Sequence, residues 1–74
     1  MDQTYPVLVG EIANRGIKKR SIARAIGTSD RTLYGKLRGK TPFTWPEVVV
    51  IRGTFFPDIS VDELFRMADE ADLN

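Results

Sequence analysis

Nine of the eleven basic residues of this 74-residue chain fall between Arg15 and Lys40: Arg15, Lys18, Lys19, Arg20, Arg24, Arg31, Lys36, Arg38 and Lys40. Asp30 is the only acid in that window, which therefore carries nine positive charges against one negative, a net of +8. Side chains of this type bind polyanions, arginine through a planar fork that matches a phosphate or a guanine edge and lysine as a point charge. Such binding weakens steeply with salt through counterion release. The flanks have the opposite sign. Met1 to Asn14 holds only Asp2 and Glu11, and Thr41 to Asn74 sets Arg52 and Arg66 against seven acids, so the overall charge of +1 conceals a basic middle between acidic ends.

The residue types argue against an enzyme. Cysteine and histidine are both absent, which removes disulfides, the usual zinc ligand sets, a thiol nucleophile and the commonest general base. Ser21, Ser29 and Ser60 have no histidine to activate them, and the scattered carboxylates form no recognisable pair. No metal and no cofactor are expected. The longest apolar run, Val48 to Ile51, is far short of the roughly 20 residues of a membrane span. The residues after Met1 lack the basic and apolar segments of a signal peptide. These features predict a cytoplasmic protein with a single domain over residues 1–74.

The elements that must position the basic residues are short helices, and the expected fold class is all-α, a compact bundle of about five. Pro6 to Ala13 forms the first, with Val7, Leu8, Ile12 and Ala13 on one side and Asn14, Arg15 and Gly16 ending it. A second runs from about Lys18 to Ile26, with Ile22, Ala23 and Ile26 inward and Ile17 placed to staple its start. Gly27 closes it, Ser29 caps a third from Asp30 to about Arg38, and Gly39-Lys40-Thr41-Pro42 is a stop. Thr44-Trp45-Pro46-Glu47 has capping-box spacing, which opens a fourth helix from Trp45 to about Phe55. The β-branched run Val48 to Ile51 also permits a strand turning at Gly53 into Phe55 and Phe56, but Pro46 and the capping box favour the helix. Ser60-Val61-Asp62-Glu63 repeats the capping pattern and predicts a fifth helix through about Ala68, followed by a fraying end from Asp69 to Asn74. The C-terminal helices thus occupy about 44–70.

Two basic, amphipathic helices around a Gly-Thr-Ser corner have the build of a helix-turn-helix over about 18–39. Steps of about 100° place Arg31, Tyr34, Gly35 and Arg38 on one face of the third helix, opposite Leu33 and Leu37. In a DNA major groove the first face would meet the bases. Arg31 and Arg38 have the geometry for guanine O6 and N7, Tyr34 for a sugar or a thymine methyl, and Gly35 lets the helix lie deep. Ser29 and Asp30 stand at the helix start, where free amides meet a base edge or a phosphate, although Asp30 also suits a helix N-terminus as an acid. Tyr34 also suits packing on a neighbouring helix, and Lys36 points sideways, toward solvent or backbone. Phosphate contacts are expected from Lys19 and Arg20 before the groove, and from Lys40 and Thr41 after it. Trp45, Phe43, Phe55, Phe56 and Phe65 read as core or dimer surface rather than ligand contacts.

This stretch resembles the helix-turn-helix of the lambda-repressor and Cro-type family of phage and bacterial regulators. The matching residues are Ala23, where the first helix needs a small side chain, Gly27 at the corner, Leu33 and Leu37 in the second helix, and Gly39-Lys40 beyond it. Lys19 departs from the glutamine often found there, and Lys18 from a Ser or Thr cap. The resemblance implies a sequence-specific regulator that binds double-stranded DNA, acting as a Cro-like repressor or as the DNA-binding piece of a longer one. The setting it implies is the nucleoid of a bacterial or phage-infected cell. It also implies a homodimer on a pseudo-palindromic operator with half-sites about 34 Å apart. The expected dimer surface is Phe55, Phe56, Val61, Leu64, Phe65 and Met67.

Two other readings compete. In one, the same fold does not bind DNA and docks a protein partner through its acidic C-terminal helices, with Leu64 and Phe65 as anchors. In the other, the basic amphipathic stretch from Ile17 to Ile26 lies on a membrane surface, which conflicts with the need for Ile22 and Ile26 in the core.

Overall fold

Four of the five helices begin where the sequence supplies a cap or a proline. In the computed structural model, which describes residues 4–68, these are α1 (Pro6–Asn14), α2 (Lys19–Ile26), α3 (Asp30–Leu37), α4 (Trp45–Phe55) and α5 (Val61–Leu64). Proline occupies the first turn of α1 and α4, where its missing N–H removes no helical bond. Ser29, Thr44 and Ser60 each accept the backbone N–H three residues on, from Thr32, Glu47 and Glu63. Thr44 and Glu47 complete the capping box, since Glu47 Oε1 accepts the Thr44 N–H at 3.0 Å. The fourth element is therefore a helix, and the hairpin alternative is absent. α1 and α2 have no side-chain cap, and only α2 lacks a first-turn proline as well, as Lys18 at its start leads one to expect.

The core draws on every helix. Leu8 and Ile12 of α1, Ile22 and Ala23 of α2, Leu33 and Leu37 of α3, Ile51 of α4 and Leu64 of α5 form one buried cluster with Tyr5 and Phe56. Ala13, grouped with the inward side of α1 by spacing, is exposed. Beside the core stands a ring cluster in which Tyr5, Phe43 and Phe65 meet edge to face, with centroids 5.3 to 6.0 Å apart. Trp45 and Tyr34 are the aromatics that escape both, at 67% and 48% exposure.

The fifth helix is shorter than its spacing predicts. It stops at Leu64 rather than Ala68, because Phe65 turns into the ring cluster and the Ala68 N–H donates to the Thr4 carbonyl at 2.9 Å. Tertiary contacts outweigh the local helical pattern here. The expected frayed end, Asp69 to Asn74, lies outside the described residues. Among the described residues no helix is long and apolar enough to cross a membrane, and no group of metal-ligating side chains occurs.

One exposed cluster ties the end of α1 to the loop between α4 and α5. The Arg15 guanidinium donates to both carboxylate oxygens of Asp58, at 2.9 and 2.7 Å, and to Glu11 at 2.9 Å, and lies 5.2 Å from the Phe56 ring centroid. The bonds from Arg15 hold the Asp58 carboxyl below the usual aspartate range. A lowered folded-state pKa contributes stability that is present above the unfolded value, about 3.9, and is lost as pH falls through the folded one. Asp58→Asn is therefore expected to lower the melting temperature at pH 7 and to flatten its fall below about pH 4, as followed by circular dichroism.

Candidate nucleic-acid interface

Helix α3 has to be held by one edge if its other face is to stay open. Leu33 and Leu37 supply that edge, and both are buried against α2 and the core. The link to α2 is a three-residue turn. Gly27 takes φ 74°, a left-handed conformation that a side chain would resist, and the N–H groups of Gly27 and Thr28 return to the carbonyls of Arg24 and Ala23. Ser29 then starts α3.

The far end of α3 closes in the same way, with one addition. Gly39 has φ 85° and Lys40 N–H donates to the Gly35 carbonyl at 2.9 Å. A Cβ at Gly39 would stand 2.6 Å from Thr4 Oγ1, which itself donates to the Arg38 carbonyl at 2.8 Å. Thr4 thus joins the start of the chain to the end of α3. It fixes where Lys40 and Thr41 leave the helix.

Lys36 corrects the expectation of a sideways, solvated lysine. It is only 6% exposed; its ammonium donates to the Pro42 carbonyl at 3.2 Å and pairs with Glu47 Oε1 at 3.1 Å, 5.9 Å from the Phe43 centroid. Neither contact was legible in the sequence, because they join α3 to the following loop and to the capping box of α4. Burial is the largest single influence on Glu47 and would raise its pKa, yet the Thr44 N–H and Lys36 together hold it below the usual glutamate range. The pair locks α3, the 38–44 loop and the start of α4 into one unit.

On the open side the structure brings the predicted contacts together. Arg31, Tyr34, Gly35, Arg38, Lys40 and Thr41 line one concavity, and Lys19, Arg20, Asp30 and Tyr34 line a second with Lys18. Nine of the ten predicted contact residues lie in these two hollows, and Tyr34 is the ridge they share. Lys19 Nζ stands 5.6 Å from the Tyr34 ring centroid, so α2 and α3 meet at this ridge through a cation and a ring. Tyr34 is 48% exposed, packed on one side and open on the other. A Cβ at Gly35 would meet nothing closer than Lys40 Cβ, 4.0 Å away, so no internal packing requires a glycine there.

No known protein family, characterised protein or solved structure matches this chain. The interface must be judged on its own geometry. Ser29, the tenth predicted residue, is exposed, but its hydroxyl accepts the Thr32 N–H and donates to Thr32 Oγ1 at 3.0 Å. It retains one acceptor site and no donor. Thr32, missed by the sequence reading, is exposed and lines the first hollow beside Arg31. Its place one residue after Arg31, in the first turn, was the available signal. Lys18, just before α2, is a further lining residue of the second hollow.

The expected dimer surface is corrected by burial. Phe56 and Leu64 are fully buried in the core of a single chain, and Phe65 is committed to the ring cluster with Tyr5 and Phe43. Phe55 and Val61 are half-buried, and Met67 alone of the six is exposed. The same burial removes Leu64 as an anchor for a protein partner.

Removing Lys36 leaves the Glu47 carboxylate unmatched, and because that side chain is partly exposed the cost is about 2 kcal/mol, short of that for a fully buried pair. Lys36→Met is expected to lower stability by about that amount in urea denaturation. Adding Glu47→Gln should recover part of the loss, because it removes the stranded carboxylate.

Proposed function

We propose that this protein is a sequence-specific double-stranded-DNA-binding regulator that reads the major groove of an operator with α3 and acts as a repressor of the lambda-repressor and Cro type. The observation that carries the reading is a division among its cations. Arg15 and Lys36 are held in ion pairs with carboxylates of the same chain, Arg15 at the surface and Lys36 buried, whereas Arg20, Arg31, Arg38 and Lys40 form no ion pair within the described residues and stand around the two hollows flanking Tyr34. Charge left unmatched on one face is charge available to a polyanion.

The roles follow from position. Arg31 and Arg38 project from the outward face of α3 and suit bidentate contact with guanine, while Tyr34 and Gly35 between them offer an apolar and a flat surface. Lys19 and Arg20 at one margin and Lys40 and Thr41 at the other suit the two phosphate backbones that border the groove. Asp30 in the first turn favours the α3 dipole and keeps other anions from that end. Two such domains on a pseudo-palindromic site would place their α3 helices about one helical turn apart.

Selection from a randomised duplex pool should recover such a site, and Arg31→Ala with Arg38→Ala should then weaken binding by about 1 to 3 kcal/mol per lost guanine contact and relax the preference at those positions. Lys40→Ala should weaken all sequences alike and reduce the slope of log affinity against log salt by about 1. Operator affinity unchanged in the double arginine variant would overturn the reading. Gly35→Ala separates binding from folding: it should stabilise the free protein by up to about 1 kcal/mol through helix propensity while lowering affinity for the selected site.

A further inference from the structure

Two hydrogen bonds bring the acidic end of the chain to the basic face. The Ala68 N–H donates to the Thr4 carbonyl at 2.9 Å, and the Thr4 hydroxyl donates to the Arg38 carbonyl at 2.8 Å. A single residue thus bridges Ala68 and the end of α3. The Thr4 side chain also fills the place that a Cβ of Gly39 would take, immediately before Lys40. Arg31, Arg38 and Lys40 line the hollow that opens there, and none of them forms an ion pair among the described residues.

Beyond Ala68 the sequence runs Asp69, Glu70, Ala71, Asp72, Leu73 and Asn74, three carboxylates without a cation. At about 3.5 Å per residue, such a segment reaches roughly 20 Å. The hollow begins beside the residue that holds Ala68, so it lies within that reach. Arg66 is nearer along the chain but sets one positive charge against three negative. Asp62 and Glu63, exposed on α5, repel the same segment.

We infer that in the free protein the carboxylates of residues 69–74 pair with Arg38, Lys40 and Arg31, so that the chain's own acidic end occupies the hollow a polyanion would take. Charge complementarity selects this occupant, and the tether favours it. Joined through Ala68, the two partners meet at an effective concentration in the millimolar range, however dilute the protein is. Each exposed pair is weak by itself. A duplex therefore displaces the segment rather than being shut out by it, and every duplex loses affinity by the same factor. Weak, non-specific sites empty first. The pairing belongs to the free protein, whereas its effect on DNA rests on the function proposed above.

The chain has no cysteine, so Asn74→Cys provides a single attachment point for a nitroxide label in nuclear magnetic resonance of the free protein. At about 20 mM salt the label should broaden the amide signals of residues 35–41, and the broadening should fade at about 500 mM, where the Debye length is only a few ångströms. Asp69→Asn with Glu70→Gln and Asp72→Asn should abolish it at low salt while the protein melts like the parent. On a duplex of random sequence in low salt, this triple variant should bind about tenfold tighter than the parent, with a steeper dependence on salt. Twelve Gly and Ser residues inserted after Ala68 leave the net charge unchanged and should recover part of that gain by diluting the tethered acids. Broadening that is absent, indifferent to salt or equal in the triple variant would overturn the inference, as would an insertion without effect beside a tighter triple variant. Broadening that follows the acids in a protein that selects no duplex would support the pairing and remove only the regulator reading.

Discussion

An eight-residue helix does not persist in water by itself, and one whose outer half is exposed has only its inner edge to hold it. For α3 that edge is Leu33 and Leu37, buried among Leu8, Ile22 and Ile51, with the aliphatic stem and ammonium of Lys36 beside them. Much of the rest of the architecture serves this edge. Ala23 brings α2 close, the left-handed glycines at positions 27 and 39 free both ends of α3 to turn sharply, and Thr4 fastens the Arg38 carbonyl from the start of the chain. The exposed face of α3 is then rigid without being filled.

Electrostatics divides the same way. A basic window of +8 in so small a fold repels itself, and the structure relieves the repulsion only where a cation can be used internally. Arg15 joins α1 to the α4–α5 loop through Asp58, and Lys36 joins α3 to α4 through Glu47. Both pairs join separate elements, the first across 43 residues and the second between consecutive helices, and both draw on the acidic C-terminal half. The segregation of sign along the chain therefore becomes, in three dimensions, a set of cross-links plus one uncompensated face. That residue of unmatched charge is a cost to the free fold and a gain on meeting a polyanion.

Helix α4 faces three ways. Its start completes a capping box, its inner side sends Val48 and Ile51 to the core, and its outer side is apolar where a helix exposed to water is ordinarily polar. The helix is apolar almost all round, and that is why its sequence could also be read as a strand. The capping box and Pro46 decide in favour of a helix locally. Nothing local says which side of such a helix is covered.

The sequence by itself determined whatever depends on neighbours three or four residues apart. The caps at Ser29, Thr44 and Ser60, the corner at Gly27, the inward leucines of α3 and the basic outward residues opposite them all follow from short-range geometry, which the side-chain types encode directly. Tertiary structure alone decided the matters that join distant segments. It ended α5 at Leu64, because Phe65 meets Tyr5 and Phe43 and Ala68 meets Thr4; it buried Lys36, because Glu47 awaited it eleven residues on; and it hid Phe56 and Leu64 while leaving Trp45 in water. The physical reason is common to all of them. A periodic pattern tells which residues share a side of a helix, but whether that side is covered depends on where the other helices come to lie.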